Sequence, residues 1–204
     1  INSNDRSAAE HKQFMQDAIA ANPDVRWKTV VFHHSIYSTA SHASDGDIID
    51  RRNELPQIFD ELDIDVVLMG HDHVYTRTYM MDGFTPDRSQ GVQSSVTNPT
   101  GILYLTANSA SGSKYYGITA ECAAVQDQSK RRTVTNVEVT NTSYTMTTYF
   151  ADDMSVLDTF TIYKTLNTAD MESLISQAQG LNQADYTEES WNKLQAALKA
   201  ATEL

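Results

Sequence analysis

Five of the six histidines in this chain lie in two short segments, and such clusters are typical of sites that bind transition metals. The segment VVFHHSIYSTASH contains His33, His34 and His42, and the segment VVLMGHDHVYTR contains His71 and His73. Two histidines in one loop are more often solvated or hydrogen-bonded than bound to a metal, so neither segment is decisive alone. Taken together, the two segments predict a metal site.

Both segments follow apolar stretches that are typical of buried β-strands. WKTVVF precedes the first group of histidines, and the continuously apolar DVVLM precedes the second. A helix is predicted over DRSAAEHKQFMQDAIAAN, with His11 at the surface. A second helical region covers DGDIIDRRNELPQIFDEL, in which we expect Pro56 to occupy the first turn of a new helix. Alternating helices and strands indicate an α/β fold, in which ligands bind beyond the carboxyl ends of the strands.

The rest of the chain predicts a sheet followed by a small helical part. A strand over VYTRTYMM leads into an Asp82–Gly83 turn, and GILYLTANSASG begins as a further strand. RTVTNVEVT, SYTMTTYF and LDTFTIYK alternate and are rich in threonine, valine and aromatic residues, as in a half-buried antiparallel sheet. Two helical patterns follow. We therefore predict two parts, residues 1–165 and residues 166–204.

Composition excludes several classes of partner. The net charge of −12 disfavours nucleic acid or an anionic membrane as the main partner, because both are negatively charged. No apolar run approaches the roughly 20 residues of a membrane-spanning helix. The single cysteine, Cys122, excludes an internal disulfide framework. The first residues show no initiator methionine or signal-peptide pattern, so we expect this chain to be part of a longer protein.

The two histidine segments resemble the last two ligand motifs of the calcineurin-like metallophosphoesterases, in particular of the purple acid phosphatase-like branch. That branch has a V-x-x-H motif and then a G-H-x-H motif followed by an aromatic residue and an arginine. Val30 to His33 fits the first motif, with Tyr37 at the expected spacing, and GHDHVYTR fits the second. The frame from Val31 to His34 also satisfies V-x-x-H, but it misplaces the tyrosine.

The resemblance covers residues 7–165 and implies an α/β fold, the C-terminal half of a β-sandwich flanked by helices, with four α/β/β/α layers in the complete protein. It departs from the branch at Ser35, where proline is usual, and at Ala43, where a second histidine is frequent. Two Gly-Asp motifs and an Asn-His motif should precede these segments. This chain has no Asn-His pair, and its one Gly-Asp pair, Gly46–Asp47, does not follow a strand. We therefore expect only the second half of a metal site here.

The resemblance also implies roles for individual histidines. His33 and His71 would bind one metal ion, and His73 would bind a second. His42 would contact the substrate phosphate and protonate the leaving oxygen. The implied cofactors are two divalent or trivalent transition-metal ions, iron, zinc or manganese, whose site is incomplete in this chain.

Two other residues of the second segment have open interpretations. Arg77 would bind substrate phosphate, with ion pairing inside the protein as the alternative. Asp72 would orient a ligating imidazole, with an exposed aspartate in a turn as the alternative.

The activity that the resemblance implies is hydrolysis of a phosphoester by hydroxide activated between two metal ions in the full-length protein. We expect this chain alone to be inactive, because it lacks the partner half of the domain. A phosphodiesterase or nucleotidase is the alternative within the family. A non-catalytic binding or scaffolding module at the cell surface is the alternative in another class.

The end of the chain resembles the start of a FIVAR-type helical repeat, through the segment LNQADYTEESWNKLQAAL. Such repeats occur in surface and secreted proteins of Gram-positive bacteria. This resemblance implies an extracellular or cell-surface location, with cell-wall components as partners of the helical tail.

Overall fold

The computed structural model describes residues 1–120, 123–165 and 168–202, and its contacts divide the chain into two compact units, Ile1–Lys164 and Thr165–Leu204. Cys122 lies outside the described residues. Within the described ranges, every helix is too short or too polar to span a lipid bilayer.

The described part of the larger unit contains two α-helices, a short 3₁₀ helix at Ser41–Ser44 and eleven strands. The helices are α1 (Ala8–Ala20) and α2 (Gly46–Glu61). The strands are β1 (Thr29–His34), β2 (Val66–Gly70), β3 (Tyr75–Arg77), β4 (Met81–Asp82), β5 (Thr85–Pro86), β6 (Ser95–Thr97), β7 (Leu103–Thr106), β8 (Val125–Asp127), β9 (Thr133–Val139), β10 (Ser143–Phe150) and β11 (Val156–Tyr163).

Most of these strands form two sheets. The first has the order β1-β2-β7-β3-β8, the second has the order β6-β11-β10-β9, and β4 pairs with β5 in a short hairpin. In the first sheet β1, β2 and β7 are parallel, with Val31 opposite Leu68 and Leu68 opposite Leu105. The carboxyl ends of β1 and β2, which precede the two histidine segments, therefore lie side by side.

The two sheets pack face to face, and the helices of the larger unit cover the other face of the first sheet. The layer between the sheets contains apolar side chains from both, namely Val66, Tyr75, Leu103 and Leu105 against Tyr144, Met146, Phe160 and Ile162. The layer beneath the helices includes Met15 of α1 and Leu55 and Phe59 of α2. This arrangement confirms the predicted α/β sandwich with flanking helices. A four-layer arrangement stays a prediction for a longer protein.

Helix α2 is continuous, so the prediction that Pro56 begins a new helix is wrong. Proline inside a helix removes one hydrogen bond and typically costs about 3 kcal/mol. Here the apolar face continues through the proline, because Ile48, Leu55 and Phe59 are each at most 3% exposed. Burial of this face on both sides of Pro56 offsets the lost hydrogen bond.

Two other features differ from expectation. His11 of α1 is buried rather than at the surface, because α1 and α2 pack against each other on its side. The short strands β6 and β8 were not predicted, since their segments are polar. Each pairs along one side of another strand, β6 with the longer β11 and β8 with the equally short β3.

The smaller unit contains α3 (Thr168–Gln179), a 3₁₀ helix at Gln183–Asp185 and α4 (Glu188–Thr202). The side chain of Asn182 caps the 3₁₀ helix by accepting a hydrogen bond from the N–H of Ala184. No residue of α4 is buried within its described part, although Tyr186 and Trp191 lie with ring centroids 6.0 Å apart. The relationship of this unit to a FIVAR-type repeat stays a prediction.

Candidate metal centre

The carboxyl ends of β1 and β2 bring His33 and His71 together. His34, the last residue of β1, pairs with Gly70, the last residue of β2, so the residue after Gly70 lies beside the end of β1. His33 Nε2 lies 3.1 Å from His71 Nδ1, and the ring centroids are 5.0 Å apart. The structure therefore brings together the two imidazoles that were predicted to share a metal ion.

The turn after β2 has a strained backbone. His71 and His73 both adopt left-handed conformations, with φ of 74° and 45°. The N–H of Asp72, between them, donates to the C=O of Gly70 at 2.9 Å. Residues other than glycine rarely adopt such angles, which cost on the order of 1–3 kcal/mol each and cluster at functional sites. From this turn His71 contacts His33, whereas His73 contacts Lys114.

His73 lies against a loop that precedes β8. Its Nδ1–H donates to the C=O of Lys114 at 2.8 Å, and its own C=O accepts from Nε2 of Gln128 at 2.6 Å. A hydrogen atom on Nδ1 leaves the lone pair of Nε2 available, which is the usual state of a ligating histidine oriented by a backbone carbonyl. The ring of Tyr116 lies 5.4 Å from that of His73 and 4.9 Å from that of His42.

His42 is positioned by the 3₁₀ helix that follows β1. Its ring centroid lies 4.7 Å from that of His71, and its Nδ1 lies 2.7 Å from Oδ2 of Asp45. Its Nε2 is buried and has no hydrogen-bond partner among the described residues. The histidine that was predicted to contact substrate therefore lies beside a predicted metal ligand.

Asp72 is fully buried, at 0% exposure, so the alternative of an exposed aspartate is wrong. Burial raises the pKa of Asp72, and the hydroxyl of Ser38 lies near enough to oppose this effect. Even so, neither carboxylate oxygen has a hydrogen bond of normal geometry within the described chain. Ligand atoms of His42, His71 and Asp72 all lie within 4.8 Å of one another. Sequence reasoning placed this carboxylate near the ligands, but its burial depends on contacts with distant residues.

His34 is held by the first residues of the chain. Its Nδ1 lies 2.8 Å from Oγ of Ser3, and its ring lies 4.7 Å from that of His71. Burial lowers the pKa of His34, and the nearby guanidinium of Arg51 acts in the same direction. His34 is therefore hydrogen-bonded to Ser3 and packed beside a predicted ligand.

The environment of His71 favours the neutral imidazole. Burial lowers the pKa of His71; Asp72 opposes this effect, whereas His42 and His33 add to it. A metal ion competes with protons for an imidazole nitrogen, so a lowered pKa keeps the ligand available at a lower pH.

The structure does not place Arg77 with the histidines. Its Nε lies 2.6 Å from Oδ2 of Asp158, and both side chains are almost fully buried, at 3% and 10% exposure. The hydroxyl of Tyr75 also donates to Asp158 Oδ2, at 2.8 Å, and the guanidinium lies over the ring of Phe160. This geometry supports the alternative of ion pairing inside the protein, and phosphate binding by Arg77 stays a prediction without structural support.

The donor set fits a transition-metal ion. Imidazole nitrogens suit zinc, iron and manganese, and the unpaired carboxylate of Asp72 adds a negative oxygen donor. Within the described residues, His42, His71 and Asp72 are the group of three ligand-type side chains that approach one another. A pair of metal ions at His33, His71 and His73 would need further ligands.

Comparison with known proteins finds a family match for the first part of the chain. Residues 1–75, which include all five clustered histidines, match the family model of the calcineurin-like phosphoesterases. Two uncharacterized proteins of Mycobacterium tuberculosis, MT2654 of strain CDC 1551 and Rv2577 of strain H37Rv, are each 30% identical over 80 residues. That match covers 38% of this chain and 15% of each relative, so the chain spans a small part of their length.

A solved structure shares the fold over most of the chain. The purple acid phosphatase PPD1 from yellow lupin (Lupinus luteus) seeds matches with a TM-score of 0.61 and 16% identity. The match covers 79% of this chain and 29% of the lupin protein. At this identity the likeness shows a common fold, and it supports the phosphoesterase-like architecture that was predicted.

Proposed function

We propose that this chain contributes the histidine part of a metal-dependent centre for phosphoester hydrolysis. The observation that carries the proposal is the 3.1 Å approach of His33 Nε2 to His71 Nδ1 at the ends of two adjacent parallel strands. Two imidazole nitrogens at this distance can bind one cation between them once the two side chains move slightly apart. The family match over residues 1–75 supports phosphoesters as the substrate class.

His33 and His71 are proposed to hold one cation, and His73 is proposed to hold a second through Nε2. Bound cations would supply Lewis acidity toward the phosphoryl oxygens and lower the pKa of bound water. The hydrogen bond from His73 Nδ1 to Lys114 fixes the ring and its tautomer. The identity of the metals, among iron, zinc and manganese, stays part of the proposal.

His42 is proposed to deliver a proton to the leaving oxygen. Its Nδ1 is held by the carboxylate of Asp45 at 2.7 Å, so the ring is fixed and Nε2 is the atom from which the proton leaves. Such a donor typically contributes about 10²–10⁴-fold to the rate.

The remaining ligands are proposed to come from further residues of a longer protein. Three histidines provide too few donors for two cations, which together need about eight or more positions filled by protein, water and substrate. The chain aligns with 29% of the lupin phosphatase, which leaves room for additional ligands there. On this proposal the isolated chain has negligible phosphatase activity. An extracellular location, with the tail bound to cell-wall components, is proposed from the tail resemblance alone.

The proposal is tested in the longer protein, expressed with its natural upstream sequence. We expect hydrolysis of p-nitrophenyl phosphate that a chelator abolishes and added metal restores. His71→Gln should lower kcat/KM by at least about 100-fold, since even residues that only orient ligands are worth about 10–100-fold. His34→Gln, the matched control, should lower it by less than about 10-fold. The 204-residue chain assayed alone should show no hydrolysis above background.

The same assay separates the rival functions. Hydrolysis of bis-p-nitrophenyl phosphate in preference to the monoester would indicate a phosphodiesterase. A folded, metal-loaded longer protein that hydrolyses neither compound would contradict the proposal and favour a non-catalytic binding module.

A further inference from the structure

A cavity with polar walls lies between the loop that precedes β8 and the turns that follow β8 and β10. Its volume is about 290 Å³. The residues that line it include Ser111, Gly112, Tyr115, Lys130, Arg131 and Arg132. None of these six is a ligand of the proposed metal centre, so the cavity is a separate place at which the chain can bind a ligand.

Positive charge dominates the walls of this cavity. Lys130, Arg131 and Arg132 are consecutive, in a chain whose net charge is −12. Arg131 is neutralised within the protein, because it pairs with Asp152 and, at 2.8 Å, with Asp153. Among the residues that the structure describes, no carboxylate forms an ion pair with Lys130 or Arg132, and both residues are exposed. The cavity therefore has two positive charges that an anion can neutralise.

A glycine sets the shape of the cavity beside Arg132. Gly112 has a φ of 72°, and a Cβ atom at this position would lie 2.9 Å from Cγ of Arg132. The same atom would lie 3.1 Å from the hydroxyl oxygen of Tyr115. Because glycine has no Cβ atom, the methylene groups of Arg132 and the hydroxyl of Tyr115 can both approach it closely. An arginine and a hydroxyl group, both hydrogen-bond donors, thus lie in the same wall of the cavity.

The segments that line the cavity also contact His73 of the proposed metal centre. The C=O of Lys114, in the loop before β8, accepts from Nδ1 of His73 at 2.8 Å. Nε2 of Gln128, at the start of the turn after β8, donates to the C=O of His73 at 2.6 Å and to that of Tyr116. An anion bound in the cavity would therefore lie against the same two segments that position His73.

We propose that this cavity binds a phosphate dianion through Lys130 and Arg132, with the hydroxyl of Tyr115 as a further donor. The planar guanidinium of arginine can donate two parallel hydrogen bonds to phosphate oxygens, and lysine adds a compact positive charge. Two sources supply this chemistry. One is free inorganic phosphate, and the other is a second phosphate group on the substrate. The second source rests on the proposed function, whereas the first does not.

The first test is a titration of the metal-free 204-residue chain with inorganic phosphate at low ionic strength, followed by calorimetry. Removal of metal ensures that phosphate binds protein groups alone. We expect one phosphate per chain and weaker binding as NaCl is added, because salt screens exposed charges. Lys130→Gln and Arg132→Gln should each weaken binding by at least about 10-fold, since each removes a charged donor.

Lys193→Gln is the matched control for this titration. It removes the same charge from a side chain that is 76% exposed, and it should leave the phosphate affinity within about twofold. All three variants change exposed residues, so their Tm without phosphate should stay within about 2 °C of that of the unmodified chain. A loss of affinity at constant Tm separates loss of the site from loss of the fold.

The second test distinguishes the two sources of phosphate in the longer protein. Kinetics are compared for p-nitrophenyl phosphate and for alkanediol bisphosphates of increasing chain length. If the cavity takes a second phosphate group of the substrate, Arg132→Gln should raise KM for at least one bisphosphate by about 10-fold or more and leave kcat and KM for p-nitrophenyl phosphate unchanged. If the cavity takes free phosphate, Arg132→Gln should change neither KM, and only phosphate binding is lost.

The proposal is overturned if the chain binds no phosphate at about 10 mM, or if Lys130→Gln and Arg132→Gln bind it as well as the unmodified chain does. Failure of the longer protein to hydrolyse p-nitrophenyl phosphate would instead contradict the proposed function. In that case the titration of the 204-residue chain still decides whether the cavity binds phosphate.

Discussion

Two buried carboxylates in the larger unit, Asp158 and Asp72, differ in how far hydrogen bonds and ion pairs from the protein satisfy them. In the first, Asp158 accepts from Nε of Arg77 at 2.6 Å and from the hydroxyl of Tyr75 at 2.8 Å, and Nη2 of Arg77 also reaches the C=O of Gln93 at 3.3 Å. In the second, the carboxylate of Asp72 is fully buried, yet neither of its oxygens has a hydrogen bond of normal geometry to a described residue.

The difference separates a structural ion pair from a binding site. The charges of Arg77 and Asp158 compensate each other and link β3 of the first sheet to β11 of the second. Asp72 has no comparable partner, and the two histidines beside it have strained or only partly satisfied surroundings. A folded protein tolerates an unpaired buried charge where a ligand completes it.

The largest effect is expected from breaking the complete cluster, in which Arg77 and Tyr75 satisfy the carboxylate of Asp158. Arg77→Met should lower the free energy of unfolding by about 3–5 kcal/mol, because it leaves Asp158 buried without its cation. Urea unfolding monitored by tryptophan fluorescence measures the change. The double variant Arg77→Met/Asp158→Leu should recover part of the loss. A decrease below about 1 kcal/mol for Arg77→Met would mean that the two clusters do not differ in this way.

A substitution in the incomplete cluster, at Asp72, should change the free energy of unfolding in the opposite direction. In the presence of chelator at pH 7, Asp72→Asn should raise the free energy of unfolding by about 1–3 kcal/mol, since it removes an unpaired buried charge. Because the pKa of Asp72 is raised in the folded state, its protonated form is favoured there. Its contribution to stability is therefore fully present below the unfolded pKa of about 3.9 and is lost as pH rises through the folded pKa.

This sign gives a direct measurement. Between about pH 4 and pH 7, the unmodified chain should lose more stability than Asp72→Asn as the pH rises. Asp63→Asn, at an exposed carboxylate, should follow the profile of the unmodified chain. Parallel profiles for Asp72→Asn and the unmodified chain would show that Asp72 is already compensated without metal.

The smallest effect concerns one contact within the complete cluster. Tyr75→Phe removes the hydrogen bond to Asp158 but keeps the ring in the core, so it should lower the free energy of unfolding by about 1 kcal/mol. Arg77 still pairs with Asp158 in this variant, which is why the cost is expected to stay below that of Arg77→Met. Chemical unfolding at pH 7 measures the loss for each variant. Equal losses for Tyr75→Phe and Arg77→Met would contradict this ranking.

Much of the fold could be predicted because the long strands carry their own signals. Continuous apolar runs identified β1 and β2, and alternation identified β9, β10 and β11. The position of the histidines at neighbouring strand ends followed from the α/β pattern. β6 and β8 could not be predicted in this way, since three-residue segments with two polar residues each form a strand only because another strand is there to pair with them.

The parts of the site that escaped prediction depend on contacts between distant residues. Arg77 lies 81 residues before Asp158, and no local pattern indicates which acid pairs with it. The burial of Asp72 depends on how the turn after β2 packs against the loop of His42. Pro56 lies inside α2 for a related reason, because the packing that offsets the local cost of proline comes from residues outside the helix and is not visible in the local sequence.

The left-handed turn that carries His71 and His73 has a consequence for laboratory evolution of this chain. Glycine adopts these backbone angles at almost no cost, whereas histidine does not. Selection for heat resistance alone would thus enrich glycine at both positions, and selection for retained metal would keep histidine. At these two positions, thermal stability therefore favours glycine, whereas metal binding favours histidine.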